Sequence, residues 1–112
     1  MTNYGVEFTY VDSQAAENVE IAIRPETKMV WIETPTNPLL KITDLEKVGK
    51  IARDNDLIFV VDSTFATPVF LTPLEYGADL VLHSTTKYLS GHNQIIGGVI
   101  VTNRTDLFDR LK

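Results

Sequence analysis

The 112-residue chain has no cysteine, which excludes a disulfide framework and any thiolate metal site. Its two histidines, His83 and His92, lack the spacing of metal ligands, so no metal centre is expected. Positive charge is also scarce: 10 lysines and arginines stand against 15 aspartates and glutamates, for a formal net charge of -5. With no basic cluster to offset that balance, nucleic acid and anionic membrane surfaces are poor candidates as partners. Apolar runs are strand-length, far short of the roughly 20 residues that span a bilayer. Met1-Thr2-Asn3-Tyr4 shows no charged region followed by an apolar one, so no signal peptide is read and a cytoplasmic setting is expected. What is present, 44% hydrophobic and 22% charged residues, suits one globular core of about four or five strands with flanking helices.

The alternation in Val6-Glu7-Phe8-Thr9-Tyr10-Val11 predicts a short strand, closed by a turn at Asp12-Ser13. Ser13 is placed to cap a helix with Ala15, Val19 and Ala22 on one face, and Pro25 ends it by disfavouring helical backbone at Arg24. Met29-Val30-Trp31-Ile32 predicts a strand that runs into Glu33-Thr34-Pro35-Thr36-Asn37-Pro38, where two prolines stop both ladder and helix. Thr43-Asp44-Leu45-Glu46 fits a capping box, in which the Thr43 hydroxyl and the Glu46 carboxylate serve each other's free amides. The helix behind it, about Asp44 to Asn55, carries an apolar stripe of Leu45, Val48 and Ala52.

Further strands are expected at Leu57 to Asp62, Ala78 to His83 and Gly97 to Thr102. Pro73-Leu74-Glu75-Tyr76 reads as a helical turn that Gly77 ends, and Thr105-Asp106 opens a last helix. Trp31, Phe65, Phe70, Tyr76 and Tyr88 read as core or interface aromatics. Apolar strands alternating with helices imply an α/β fold with a mostly parallel sheet and helices on both faces. Such sheets collect functional groups beyond the carboxyl ends of their strands.

Asn37, Asp62, Ser84, Thr86 and Lys87 all fall at or just past such ends. A lysine amine attacks carbonyls when its surroundings deprotonate it. Ser84 and Thr86, with the amides of a turn, could donate to a phosphate. Asp62 could hold a ring nitrogen protonated, and Asn37 could donate to a phenolate oxygen. The set therefore has the polarity to hold an aromatic phosphate cofactor such as pyridoxal 5'-phosphate. Taken singly, each residue keeps a plainer reading: Lys87 as a solvated strand end, Asp62 as a turn residue, Ser84 or Thr86 as a cap. His83 reads as a packing or hydrogen-bonding residue and His92 as a loop residue. Ser84-Thr85-Thr86-Lys87 is no phosphate loop, because that motif needs glycines ahead of the lysine and the hydroxyl after it. Gly91 to Gly98 does not open a helix after a strand, so it is no dinucleotide fingerprint.

Three blocks decide between these readings: Glu33-Thr34-Pro35-Thr36-Asn37-Pro38, Asp62-Ser63-Thr64-Phe65-Ala66-Thr67-Pro68 and His83-Ser84-Thr85-Thr86-Lys87-Tyr88-Leu89-Ser90-Gly91-His92. In order and spacing they closely resemble the cysteine and methionine metabolism family of pyridoxal-phosphate enzymes, from about Tyr4 to Lys112. That family includes cystathionine gamma-synthase, the cystathionine lyases, methionine gamma-lyase and the O-acyl-homoserine sulfhydrylases. The resemblance implies that Lys87 is the Schiff-base lysine and proton shuttle, and that Asp62 partners the pyridine nitrogen. It also implies that Ser84 and Thr86 bind the phosphate and that Asn37 lies near the phenolic oxygen.

Family members are several times longer than this chain. The resemblance therefore implies that residues 1–112 are the middle of the large, cofactor-binding domain of a fold-type I enzyme. The N-terminal arm, the start of that domain and the C-terminal domain would lie outside it, and the full-length enzyme would be a homo-oligomer, dimer or tetramer. A small amino-acid substrate, homoserine-derived or sulfur-containing, is implied, with gamma-replacement or beta- or gamma-elimination as the reaction. Ser90-Gly91-His92-Asn93 and Asp62-Ser63-Thr64 lean toward the synthases and sulfhydrylases. Alone the chain is expected to turn over little or nothing, and a non-catalytic module that keeps only the core of this fold is the alternative.

Overall fold

Short apolar runs separated by amphipathic segments fold into a four-stranded sheet in the computed structural model, which describes residues 4–92 and 94–112. The strands are β1 (Met29–Glu33), β2 (Ile58–Asp62), β3 (Leu80–Ser84) and β4 (Gly98–Val101), and they lie side by side in chain order. The first three run parallel, and β4 runs antiparallel to β3. The register sets Glu33 beside Asp62, Asp62 beside Leu82, and Ser84 beside Gly98. The carboxyl ends of three strands and the start of the fourth thus share one edge.

Helices α1 (Ala16–Ala22) and α2 (Leu45–Asp54) cover one face, and α3 (Thr67–Phe70) and α4 (Thr105–Leu111) follow later in the chain. Ala16, Val19, Leu45, Val48 and Ala52 meet Val30, Ile32, Phe59, Val61 and Val81 in the main core. Each fully buried aliphatic side chain here contributes about 1.5–3 kcal/mol. On the opposite face, Leu107 of α4 packs on Val60 and Leu80. Helices therefore lie on both faces, as the alternation of elements implies, although the second cover is thin. Met29 and Trp31 on edge strand β1 stay 44% and 55% exposed, and every residue of β4 is exposed.

Gly49 lets α2 lie against the 3₁₀ turn Pro73–Tyr76, because a Cβ there would collide with the carbonyl oxygen of Tyr76. Gly77 ends that turn at φ 90°, the left-handed conformation that glycine adopts without a Cβ penalty. Asp79 then ties the amino ends of β2 and β3 to the carboxyl end of β4. Its Oδ2 accepts from Phe59 N at 2.8 Å, its carbonyl accepts from the Thr102 hydroxyl at 2.7 Å, and its Oδ1 accepts from Arg104 Nη1 at 3.1 Å. Arg104 also grips Asp106 with two nitrogens, at 2.6 and 3.1 Å, which holds the Asp106 carboxyl below its ordinary range and so seats α4. Because hydrogen bonds to a charged group are worth roughly 1.5–3 kcal/mol, Asp79→Ala is expected to lower unfolding stability by about 2 kcal/mol in a urea titration.

Three sequence expectations are corrected. Val6 to Val11 is irregular and exposed, since a strand needs a ladder partner and none of the four strands lies beside it. Ser13 does not cap α1, whose N-cap is Ala15; the Ser13 hydroxyl is 2.6 Å from that of Thr43. The cap of α2 is Asp44, whose Oδ1 accepts from Lys47 N at 3.1 Å, while Thr43 is buried and donates its amide to Thr34 Oγ1 at 3.2 Å. The capping box therefore fails by one residue, because Thr43 is drawn into the core. Of the aromatics read as core or interface, Trp31, Phe70, Tyr76 and Tyr88 are exposed, which removes only the core half of that reading, and Phe65 is half-buried with its ring edge-on to Tyr88 at 6.0 Å.

Among the described residues no helix is long and apolar enough to cross a membrane, and no cluster of three or more His, Asp or Glu could hold a metal ion.

Candidate active site

Asp62 ends β2, and the turn that follows folds back on its carboxylate. Oδ1 accepts from Thr64 N at 3.0 Å and from the Thr64 hydroxyl at 2.6 Å. Among the described residues no partner holds Oδ2, so one carboxylate oxygen is fixed and the other is available. Turning away from Asp62, the chain reaches Thr67, where Pro68 disfavours right-handed helical backbone and the threonine takes a φ of 61°. Its amide donates to Ser63 O at 2.9 Å, which closes the turn before α3 begins.

Ser84 ends β3 and leads into an irregular turn, Thr85–Leu89, that carries Lys87. Lys87 has φ −91° and ψ −121°, outside the helical region, within this otherwise helical turn. Its side chain is exposed and enters no ion pair among the described residues. The turn is pinned to the chain entering β4: Thr85 N donates to Gly97 O at 2.9 Å, and the Thr86 hydroxyl accepts from Gly97 N at 3.0 Å. That same hydroxyl reaches Gly97 O at 3.3 Å, a long bond from which its proton can turn to another acceptor.

An open cleft of about 450 Å³ lies at this edge, bordered by Asp62, Leu82, Ser84, Gly98 and Ile100 among others. Its size falls within the roughly 300–1,000 Å³ of small-molecule sites. A carboxylate and a hydroxyl share it with two aliphatic side chains, an arrangement suited to an aromatic ring bearing a polar atom on its rim. Asn37 is exposed on the loop that leaves β1, a strand paired with β2 at Glu33 and Asp62, and its side chain makes no hydrogen bond among the described residues. The structure therefore brings Asp62 and Ser84 to one cleft and carries Thr86 and Lys87 on the turn beside it. It sets Asn37 on the neighbouring loop.

Thr64 is the residue that strand-end logic misses. Its hydroxyl donates to Asp62 Oδ1 at 2.6 Å and accepts from Ser84 N at 2.9 Å, so one oxygen couples the ends of β2 and β3. The Asp62-x-Thr64 spacing marks a possible side-chain turn in the sequence, but the contact with Ser84 spans 20 residues and shows only in the fold. Thr64→Val removes the shared oxygen and leaves a half-buried carboxylate and an amide short of a partner. It is expected to lower stability by about 1–3 kcal/mol, read from the urea midpoint, whereas Thr64→Ser retains most of it.

Comparisons with known proteins concern the chain as a whole. A family model described as Cys/Met metabolism PLP-dependent enzyme matches residues 1–112. Cystathionine gamma-lyase of Bacillus subtilis is 52% identical over 111 residues, which is 99% of this chain and 29% of that protein. A probable cystathionine gamma-synthase of Herpetosiphon aurantiacus is 45% identical over 112 residues, 100% of this chain and 35% of that protein. Lyases and synthases thus both align, and the lean toward the synthase side finds no support in them. The crystal structure of cystathionine gamma-lyase from Lactobacillus plantarum complexed with L-serine superimposes with a TM-score of 0.96 at 45% identity, over 98% of this chain and 29% of that one. The chain spans 29% to 35% of the length of these curated relatives.

Proposed function

Since this chain belongs to the Cys/Met metabolism family of PLP-dependent enzymes, we propose that residues 1–112 form the central part of the cofactor-binding domain of a transsulfuration-type enzyme. Its substrate class is homoserine-derived or sulfur amino acids, and its reaction is gamma-replacement or beta- or gamma-elimination. The relatives' names support this reading: lyases and synthases of cystathionine, and methionine gamma-lyase, align along nearly the whole chain.

The observation that carries the proposal is the cleft at the carboxyl edge, where Asp62 offers a free oxygen and Ser84 a hydroxyl next to the turn that presents Lys87. The residues present fit pyridoxal 5'-phosphate. When bound, that cofactor supplies an aldehyde that takes up amines and a pyridinium ring that draws electron density from carbon. Asp62 would hold the ring nitrogen protonated through Oδ2, with Thr64 fixing the carboxylate's orientation. Ser84 and Thr86 would donate to phosphate oxygens, and Thr86 would keep its bond from Gly97 N while its proton turns outward. Asn37 would donate to the phenolic oxygen. Lys87 would be the amine for the aldehyde and, when free of it, would serve as the base that carries protons at substrate carbons. In a homo-oligomer, other parts of the protein and a neighbouring subunit would supply the remaining phosphate and substrate contacts.

Titrating the purified protein with pyridoxal 5'-phosphate tests the site. Saturable binding by cofactor absorbance is expected, and it should weaken in Asp62→Asn. No saturation in the parent, or an unchanged Asp62→Asn, would remove the assignment.

A further inference from the structure

Behind the cleft, on the face that α1 and α2 cover, lies a row of polar side chains in an otherwise apolar layer. Thr34, Ser63 and His83 are 2%, 0% and 6% exposed and neighbour Ile32, Val61 and Val81. Thr34 Oγ1 is satisfied by the Thr43 amide at 3.2 Å. Ser63 Oγ and His83 Nδ1 are both buried with no partner among the described residues.

These two atoms belong to one place. Asp62 is in register with Leu82, and Ser63 N donates to Leu82 O at 3.0 Å. Ser63 and His83, one residue further along each strand, are therefore same-face neighbours across a parallel pair, where strands lie about 4.8 Å apart. The two side-chain atoms make no direct bond to each other, and neighbouring side chains on strands so spaced leave room for a bridge of two hydrogen bonds meeting at an angle. Buried polar atoms are almost always satisfied, and where protein offers no partner an internal water supplies one.

We propose that Ser63 and His83 form an internal hydration site, holding one water molecule between Ser63 Oγ and His83 Nδ1 at the carboxyl ends of β2 and β3. On the cleft side the Thr64 hydroxyl links Asp62 to Ser84. On the rear side the water links the residue after Asp62 to the residue before Ser84. The strand ends that carry the candidate site are thereby clamped from both faces. This inference rests on packing and does not depend on the cofactor reading.

A high-resolution crystal structure of the purified protein tests it directly. A discrete solvent peak within hydrogen-bond distance of both atoms is expected in the parent, and it should be lost in Ser63→Ala. Hydrogen exchange of the peptide covering the end of β3 should be about tenfold faster in that variant, since a local opening has lost a link. A parent map with no density between the two side chains would overturn the proposal, as would one with Ser63 bonded directly to His83. Because the parent map alone decides, a Ser63→Ala chain that fails to fold does not protect the idea. Failure of cofactor binding would leave this result unchanged.

Discussion

Lys87→Ala is expected to abolish borohydride-fixed labelling of the purified protein by pyridoxal 5'-phosphate while leaving the fold intact. The Lys87 side chain is exposed and enters no ion pair among the described residues. The contact it does supply comes from its backbone, whose carbonyl accepts from Gly91 N at 3.1 Å and survives the substitution. Surface changes of that kind shift stability by no more than about 0.5 kcal/mol. The loss of chemistry is large by comparison. Removing a positioned proton carrier alone slows turnover by about 10²–10⁴-fold, and Lys87 would also be the amine that takes up the aldehyde. Reduction, digestion and mass spectrometry of parent and variant give the answer. A parent adduct on another lysine, or an undiminished adduct in Lys87→Ala, would sink the assignment.

Phe59→Ala should cost more stability than any other single truncation in the sheet. The ring is 1% exposed and is among the largest fully buried side chains. It lies under α2, close enough that a Cβ on Gly49 would sit 3.4 Å from it. Its backbone is also locked to Asp79, donating to the carboxylate at 2.8 Å and accepting the Asp79 amide at 2.8 Å, so the strand cannot easily collapse to fill the space. Truncations of this kind cost about 3–5 kcal/mol, against a typical total of roughly 5–15 kcal/mol. The urea midpoint should fall with the slope unchanged, and a loss under about 1 kcal/mol would show that the layer repacks. Asp62 lies three residues further along the same strand, so cofactor affinity should fall together with stability.

The strands were legible to within one or two residues because their apolar runs end at charged or hydroxyl residues that favour the open edge. Asp62 and Ser84 could be located in the same way: Asp62 is the first polar side chain after such a run, and Ser84 the first hydroxyl after one, behind His83. Thr64 could not, because its importance comes from an oxygen shared with a strand 20 residues away. Ser63 and His83 are hidden for the same reason, since only the β2–β3 register makes neighbours of them. The cap of α2 was missed by one position because a threonine and an aspartate stand side by side, and burial of the threonine, which no local pattern encodes, left the role to Asp44. Val6 to Val11 shows the opposite error. Its alternation is genuine, but alternation describes a strand's faces and says nothing about whether a partner is present to pair with it.

The reversal of β4 has a kinetic meaning. Parallel pairs such as β1–β2 and β2–β3 need a crossover before their first contact forms, whereas β3 and β4 are joined by the segment 85–97 and meet at Ser84 and Gly98 on its two sides. Closing so short a loop carries a small entropic cost that grows only logarithmically with length, and local contacts form early. The turn that bears Lys87 is thus held by a local pairing, through the bonds of Thr85 and Thr86 to Gly97. Asp62 sits between two crossovers, the one through α2 before it and the one through the 3₁₀ turn after it. Because β2 is central and buried while β4 and most of the turn beside it are exposed, amide exchange should show protection at Thr85 and Gly91 lost before that at the end of β2.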